Sequence, residues 1–316
     1  MKVVALAGGV GAARFLRGLV RVVEPADVTV VVNTGDDLVL HGLHVSPDLD
    51  TVTYTLGGGV HPEQGWGRAG DTLTVAAELR DRYGAPDWFT LGDRDLATHL
   101  VRTRILATGG TLSRATAVIG RAWGLAPTLL PMTDDPVTTR VRTADGRDLH
   151  FQRWWVGEGA EPAVAEVVVA GAAAATPAPG VLEAVGAADV VVLCPSNPVV
   201  SIGPILAVPG LRPAVAARPV VGVSPIVGGR VVRGMADRLL PAVGCEVSAD
   251  AVAGLYADLL DGWVVDRRDA GLTDAVAALG CRVAATESVM TTPQVAASLA
   301  RTALDLAAGL SRAPAC

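Results

Sequence analysis

The chain begins with a strand, a glycine turn and a helix, and this unit limits the possible folds more than any other feature. Residues 2–7 (KVVALA) form an apolar run of strand length that leads directly into residues 8–11 (GGVG). An amphipathic helix is predicted from residue 12 to about residue 23. Such units usually place the next strand parallel to the first, so the sequence predicts an α/β fold around a parallel sheet.

The glycine turn has two interpretations. Glycines let the backbone approach a phosphate closely, and a helix N-terminus offers free N–H groups and a positive dipole end. The same turn can also serve only to join strand to helix. A complete dinucleotide fingerprint is missing, because Ala12-Ala13-Arg14 gives no third glycine and Asn33 stands where an acidic residue would hold the ribose. The sequence therefore disfavours a nicotinamide-dependent dehydrogenase.

A dense polar cluster follows the second predicted strand, Val28–Val32. That strand is almost entirely apolar, as is typical of a parallel strand buried on both faces. Asn33, Thr34, Asp36 and Asp37 come at its carboxyl end, where open α/β sheets bind their ligands.

A new helix is predicted to start at residues 46–48 (SPD), with Asp48 and Asp50 in its first turn. We expect these two carboxylates and those of Asp36 and Asp37 to face one crevice, where together they would suit a divalent cation. The alternative is that the first pair lies in a solvated turn while the second pair only complements the helix dipole.

Composition excludes several classes of protein. The formal net charge of -6 argues against a large basic surface for nucleic acid. No apolar run approaches the roughly 18 residues needed to cross a membrane, and no signal-peptide pattern precedes the first strand, which predicts a cytoplasmic protein. Lys2 is the only lysine in the chain, so arginine must bind any phosphate groups. The cysteines form no CxxC pair and are predicted to be buried or terminal thiols: Cys194, Cys245, Cys281 and Cys316.

Two further strands are predicted in the second half, at residues 190–194 and Val220–Val223. Each ends in a loop of small polar residues, namely residues 195–198 (PSNP) and 224–229 (SPIVGG). Each loop alone is consistent with a connecting turn. Three strand ends of this kind in one chain favour a shared crevice.

The remaining segments complete the predicted architecture. Three helices without clear intervening strands predict a helical insertion at about residues 60–125, and residues 138–143 and 149–155 flank a turn as a β-hairpin. No linker interrupts the pattern. The prediction is a single α/β domain spanning residues 1–316, with a doubly wound, mostly parallel, Rossmann-like sheet.

Several motifs occur together and in order over nearly the whole chain: GGVGAARFLRGL, VVNTGDD, SPDLDTVTYTL, LGDRDLATH, LPMTDDPVTT, CPSNPVVSIGPIL and SPIVGG. In these motifs the chain resembles the 2-phospho-L-lactate transferase family, also called CofD-like transferases. The resemblance implies an enzyme of coenzyme F-420 biosynthesis that joins a guanosine-diphosphate-activated three-carbon acid to the deazaflavin Fo, releasing GMP, with Mg²⁺. The Ala- and Arg-rich composition is similar to that of actinobacterial members, in which the donor is the enolpyruvyl compound.

The resemblance also implies roles for particular residues. Asp50 of SPDLDT and Arg94 of GDRD match the family positions that hold Fo. Six residues match positions near the guanosine phosphates: Gly8, Gly9, Gly11, Ser196, Asn197 and Pro198. By extension, we expect Asp37 and Asp50 to bind Mg²⁺ and the protein to be a homodimer.

The chemistry of transfer is consistent with these residues. A ribityl hydroxyl of Fo would attack the β-phosphorus and expel GMP, so the protein must position two substrates and neutralise charge. Asp50 is the first candidate for a general base, and because it lies near a helix start we expect it to matter more for catalysis than for folding. The alternative function is a non-catalytic nucleotide-sugar or dinucleotide-binding regulator on the same fold.

Overall fold

The structure is a computed structural model and describes residues 1–308 and 310. Its strands, in chain order, are β1 (Val3–Ala7), β2 (Val28–Val32), β3 (Leu38–Leu40), β4 (Leu43–Val45), β5 (Thr128–Pro131), β6 (Thr138–Thr143), β7 (Asp148–His150), β8 (Val164–Ala170), β9 (Val190–Leu193), β10 (Val220–Val223), β11 (Ile226–Val227), β12 (Arg230–Val231), β13 (Gly262–Asp266) and β14 (Arg282–Thr286).

The α-helices are α1 (Gly9–Leu19), α2 (Pro47–Leu56), α3 (Thr74–Tyr83), α4 (Asp95–Ala107), α5 (Leu112–Ala122), α6 (Val181–Ala187), α7 (Gly203–Ala207), α8 (Leu211–Ala216), α9 (Ala236–Leu239), α10 (Ala249–Gly254), α11 (Thr273–Ala277) and α12 (Pro293–Ala307). Short 3₁₀ or π turns connect several of these elements.

The central sheet of the described chain has seven strands in the order β14-β13-β10-β9-β1-β2-β5. Every neighbouring pair is parallel. The chain moves outward from β1 to β2 and β5, crosses to β9, and then moves outward through β10, β13 and β14. The strand order therefore reverses between β1 and β9, which is where doubly wound sheets bind ligands. The predicted α/β, Rossmann-like fold is confirmed.

The five inner strands of the sheet are buried on both faces because they are mostly apolar, whereas the edge strands β5 and β14 are partly exposed. In β1, Val4 and Leu6 point into one core, while Val3 and Ala5 point into the other. Helices α1 and α12 cover the second face and pack against each other. A Cβ on Gly18 of α1 would lie 2.2 Å from the carbonyl carbon of Ala296, so glycine permits this close contact.

Helices α3, α4 and α5 fill the segment between α2 and β5, the region for which a helical insertion is predicted. The hairpin prediction is correct for its first strand and its turn but wrong for its second strand, which ends at His150. Phe151 and Trp154 lie three residues apart and are both buried, so the chain turns helically to insert both side chains into the core. Strand β8 then pairs with the other edge of β6.

Cys194, Cys245 and Cys281 are buried free thiols, and Cys316 lies outside the described residues. Across the described chain, the helices are too short or too polar to span a membrane.

Candidate active site

A cavity of about 370 Å³ opens at the carboxyl ends of the parallel strands. Loops that follow β1, β2, β9, β10 and β14 all contribute to its wall, and it lies at the point where the strand order reverses. The polar and charged lining includes Arg14, Asp36, Asp48, Ser196, Asn197, Ser201, Ser224, Arg233 and Ser288. The shared crevice predicted from three polar strand ends is therefore present.

Asp36 and Asp48 form a buried acidic pair in this wall, with exposed fractions of 4% and 6%. Asn33 links them, because its side-chain amide donates to Oδ1 of Asp36 and to Oδ2 of Asp48, the latter at 2.9 Å. Gln152 donates to the second oxygen of Asp36 at 3.0 Å, and the Gly9 N–H donates to Oδ1 of Asp48 at 2.7 Å. Neutral donors thus hold both carboxylates in place.

Burial has a large effect on the protonation of this pair. It raises the pKa of Asp48 to about 7, against the hydrogen bonds from Asn33 and Gly9, which lower it. Burial also raises the pKa of Asp36 well above its ordinary value, and the neighbouring Asp48 carboxylate adds to the increase. The pair has no cationic hydrogen-bond partner among the described residues, so a cation in the cavity would relieve the electrostatic cost.

The acidic pair fits a magnesium ion. Mg²⁺ is usually held by one or two carboxylates, with water and substrate phosphates completing its octahedron. Asp36 and Asp48 supply two carboxylates at the cavity wall. In the described chain no group of three or more His, Cys, Asp or Glu side chains is arranged to hold a metal, so the remaining ligands would come from solvent or substrate.

The glycine turn lies between the acidic pair and the loop after β9. Helix α1 begins at Gly9, earlier than the predicted residue 12, and Gly9 has a φ of +71°, which favours glycine. A Cβ on Gly8 would lie 2.5 Å from Oδ2 of Asp48, and one on Gly11 would lie 2.3 Å from the carbonyl oxygen of Pro195. The turn is therefore glycine-rich partly because the protein itself packs closely against it.

The loop after β9 faces the glycine turn. Ser196 accepts a hydrogen bond from the Gly8 N–H at 3.3 Å, and Asn197 accepts from the N–H groups of Val199 and Val200 at 2.9 and 3.3 Å. Ser196 and Asn197 line the cavity together with the three glycines, whereas Pro198 is buried at the start of the next helical turn. The structure thus brings together five of the six residues assigned to nucleotide binding.

Asp50 points away from this cavity. Arg102 of α4 donates to both of its oxygens, from Nη1 to Oδ2 at 3.1 Å and from Nη2 to Oδ1. Asp48 and Asp50 are two residues apart in α2, and such residues are separated by roughly 200° around a helix. The expectation that all four carboxylates face one crevice is therefore wrong, because Asp48 faces the glycine turn and Asp50 faces α4.

A buried polar network extends from Asp50 to the start of α4. His99 lies between two carboxylates, with Nδ1 at 3.6 Å from Oδ2 of Asp50 and Nε2 at 3.5 Å from Oδ2 of Asp95. Tyr54 donates its hydroxyl to Asp95. Arg94, the residue before α4, is exposed and directs Nη1 toward the carbonyl oxygen of Ala69 at 3.4 Å. Asp50 and Arg94 thus belong to the α2–α4 region and do not line the main cavity.

Asp37 also turns away from the cavity. Its Oδ2 accepts a hydrogen bond from Ser46 at 2.6 Å and lies 3.0 Å from Nε2 of His44. Its Oδ1 is buried without a hydrogen-bond partner. Asp37 thus helps to hold the start of α2, and the carboxylates at the cavity wall are its neighbour Asp36 and Asp48.

Several residues at the cavity wall or directly behind it have no recognisable sequence signal. Gln152 reaches Asp36 across 116 positions of the chain, and Arg233 comes from the segment between β12 and α9. Arg14 is visible in the sequence only as the residue that interrupts the glycine pattern. Trp66, from the glycine-rich segment between α2 and α3, also lines the cavity.

A doubly wound parallel sheet with a polar cavity at its switch point defines the class of the protein, an α/β protein whose candidate ligand site lies at the carboxyl ends of its strands. Residues 3–290 match the family model described as 2-phospho-L-lactate transferase CofD. The chain belongs to this family, and it is an enzyme of the transferase type.

Curated relatives support the same assignment over nearly the full length. A protein of Kitasatospora aureofaciens named phosphoenolpyruvate transferase is 55% identical over 314 residues, covering 97% of this chain and 98% of its own. A protein of the same name from Mycolicibacterium smegmatis is 43% identical over 328 residues, covering 97% of this chain and 99% of its own.

Solved structures share the fold at low sequence identity. A crystal structure of protein BH3568 from Bacillus halodurans superposes with a TM-score of 0.65 at 17% identity, covering 96% of this chain and 99% of the other. A second crystal structure of that protein, described as a member of the UPF0052 family, gives a TM-score of 0.63 at the same identity. These structures support the fold alone.

Proposed function

We propose that this enzyme transfers a phosphoenolpyruvyl or 2-phospho-L-lactyl group from a guanosine-diphosphate-activated donor to the deazaflavin Fo, releasing GMP, in coenzyme F-420 biosynthesis. The observation that carries the proposal is membership of the CofD family, with relatives at 53–55% identity named phosphoenolpyruvate transferase. The names of those relatives favour the enolpyruvyl donor.

The cavity suits a diphosphate. The glycine turn forms the start of an 11-residue helix, whose first-turn N–H groups have no partners within the helix. Asp48 already accepts the Gly9 N–H, so it holds the turn in place from the side of the acidic pair. A diphosphate lying along the turn would therefore meet helix N–H groups and the metal site together.

We propose that Asp36 and Asp48, rather than Asp37 and Asp50, bind the Mg²⁺. When bound, the ion would neutralise the negative charge that develops on the phosphoryl oxygens. Asn33 and Gln152 would orient the two carboxylates through the hydrogen bonds described above. The N–H groups of the glycine turn would then hold the donor phosphates beside the ion.

In the reaction, a ribityl hydroxyl oxygen of Fo forms the new bond to the β-phosphorus, while the bond to the GMP phosphate oxygen breaks. GMP leaves with that electron pair, and the hydroxyl proton must pass to a base or to solvent. Asp50 as that base, and Asp50 with Arg94 as the Fo site, stay predictions. Both oxygens of Asp50 accept hydrogen bonds from Arg102, which limits its freedom to take a proton.

The test is a transfer assay with purified protein, Fo, the guanosine-diphosphate-linked acid and Mg²⁺. We expect formation of a phosphodiester of Fo together with an equal amount of GMP, measured by chromatography with fluorescence and mass detection. The lactyl product is heavier than the enolpyruvyl product by a pair of hydrogen atoms, so the same measurement identifies the donor. Nucleotide binding without any product would contradict the proposed pairing of this donor with Fo.

The cytoplasmic location and the homodimeric state also stay predictions. Light scattering of the purified chain measures its mass in solution and tests the second directly.

A further inference from the structure

Two arginine side chains in the cavity wall lie close to each other. Arg14 comes from the second turn of α1, and Arg233 from the segment between β12 and α9. Nη2 of Arg14 and Nη1 of Arg233 each lie 3.6 Å from the position that a Cβ would take on Gly65. Elements far apart in sequence thus bring two guanidinium groups to one point.

Neither guanidinium is neutralised by the protein. Within the part of the chain that the structure describes, neither Arg14 nor Arg233 forms an ion pair, although several exposed arginines do, such as Arg142 and Arg147. Burial lowers the pKa of Arg14, and the charge of Arg233 lowers it further. Two like charges held together without a counter-charge favour the binding of an anion between them.

The space between the arginines is kept open by glycine. Gly65 has a φ of +71°, which disfavours any other residue, and a Cβ there would also lie 2.8 Å from Cγ1 of Val10. Trp66 lines the cavity beside this point and is 47% exposed. An anionic group that enters here would therefore meet two guanidinium groups and an apolar wall.

The lining of the cavity contains both negatively and positively charged side chains. Asp36 and Asp48 form the acidic set, which suits a cation and through it the donor phosphates. Arg14 and Arg233 form the basic set. The proposed donor has two anionic parts, the diphosphate and the carboxylate of the three-carbon acid, so one part remains for the arginines. The planar fork of arginine matches a carboxylate in a bidentate contact.

Resting on the proposed function, we infer that Arg14 and Arg233 bind the carboxylate of the three-carbon acid and thereby select the acid-linked donor over plain GDP. Enolpyruvyl and lactyl groups both carry this carboxylate next to the phosphoester. The two arginines would therefore bind both acids and would not distinguish the enolpyruvyl group from the lactyl group.

The experiment is calorimetry with Mg²⁺, comparing GDP with the guanosine-diphosphate-linked enolpyruvyl acid. Arg14→Gln and Arg233→Gln should weaken binding of the linked acid by about ten- to a hundredfold, the range expected for a lost charged hydrogen bond. Binding of GDP should change little in either variant. Arg14→Lys should give an intermediate loss, since it keeps the charge but not the fork. Arg21→Gln, an exposed arginine beyond the other end of α1, is the matched control and should bind both ligands like the parent protein.

The outcomes separate this inference from the function on which it rests. If the parent protein binds the linked acid and both glutamine variants bind it equally well, the carboxylate site is overturned while the function stands. If GDP binding falls as much as binding of the linked acid, the arginines hold nucleotide phosphates and the carboxylate assignment is wrong. If the parent protein binds neither compound, the proposed function itself fails. Arg233 is exposed in a connecting segment, so its variant tests the site even if Arg14→Gln does not fold.

Discussion

Asp50 and Arg102 form a bidentate ion pair that is buried between α2 and α4, with exposed fractions of 5% and 1%. The pair joins a helix next to the glycine turn to the helical segment between α2 and β5. Burial raises the pKa of Asp50, while Arg102 and His99 oppose the increase. Asp50 therefore has a structural role whatever its role in catalysis.

This pairing predicts that Asp50→Asn destabilises the fold strongly. The substitution leaves the Arg102 charge buried without its counter-charge, which typically costs about 3–5 kcal/mol. Loss of a helix-dipole partner alone would cost only about 0.3–1 kcal/mol. Urea unfolding measures the difference, with Glu166→Gln, which removes a surface partner of Arg142, as the control. A variant that unfolds like the control would show that the ion pair contributes little.

The expectation that Asp50 matters more for catalysis than for folding rests on its position near a helix start and does not take Arg102 into account. Its position near a helix start is visible in the sequence, and so is its two-residue spacing from Asp48, which already implies opposite faces of α2. What the sequence does not show is that Arg102, 52 positions later, lies against that second face. A contact between distant segments depends on how helices pack, and a single sequence does not record it.

The sheet was predictable for a physical reason. Strands such as Val28–Val32 and Val220–Val223 are short and almost entirely apolar, as is typical of parallel strands that are buried on both faces of a sheet. The polar loops at their carboxyl ends then had to meet at one edge. The end of the second hairpin strand at His150 is less predictable, because the short sequence that follows it is compatible with both a strand and a helical turn.

A second prediction concerns Gly11, where the structure shows a contact within the protein. A Cβ there would lie 2.3 Å from the carbonyl oxygen of Pro195, a backbone atom of the loop after β9. Gly11→Ala should therefore push α1 and that loop apart and cost about 1–3 kcal/mol of stability, the usual range for overpacking. The measurement is thermal or urea unfolding.

Gly186 of α6 provides the matched control for this substitution. No atom lies within 4 Å of the position that its Cβ would take. Gly186→Ala should leave stability unchanged or raise it by about 0.5–1 kcal/mol, because alanine favours a helix more than glycine does. Equal effects of the two substitutions would contradict the proposed contact between α1 and the loop after β9.

A third prediction concerns the metal. Asp36→Asn and Asp48→Asn should each lower turnover by about a hundredfold or more, because each removes one charged ligand of the ion that stabilises the transition state. Each should also raise the Mg²⁺ concentration required for half-maximal rate. Activity of the parent enzyme should stop in EDTA and return with Mg²⁺.

Asp305→Asn, on the exposed face of α12, removes the same charge away from the cavity and should behave like the parent enzyme. Full turnover of the Asp36 and Asp48 variants at the parental Mg²⁺ concentration would assign the metal to other residues.

The last prediction concerns the pH dependence of stability without metal. Burial raises the pKa of Asp48 from 3.8 to about 7, so between these values the folded protein holds a proton that the unfolded chain has released. Stability then falls as pH rises, because unfolding releases the proton. The loss should reach at most about 4 kcal/mol between pH 4 and pH 7, at about 1.36 kcal/mol for each unit of pKa.

Urea unfolding in EDTA at pH 5 and pH 8 measures this slope, which Asp48→Asn should reduce. Added Mg²⁺ should restore stability at pH 8 in the parent protein but much less in Asp48→Asn, since the ion favours the ionised carboxylate. The same slope in both proteins would mean that Asp48 is not the group that titrates.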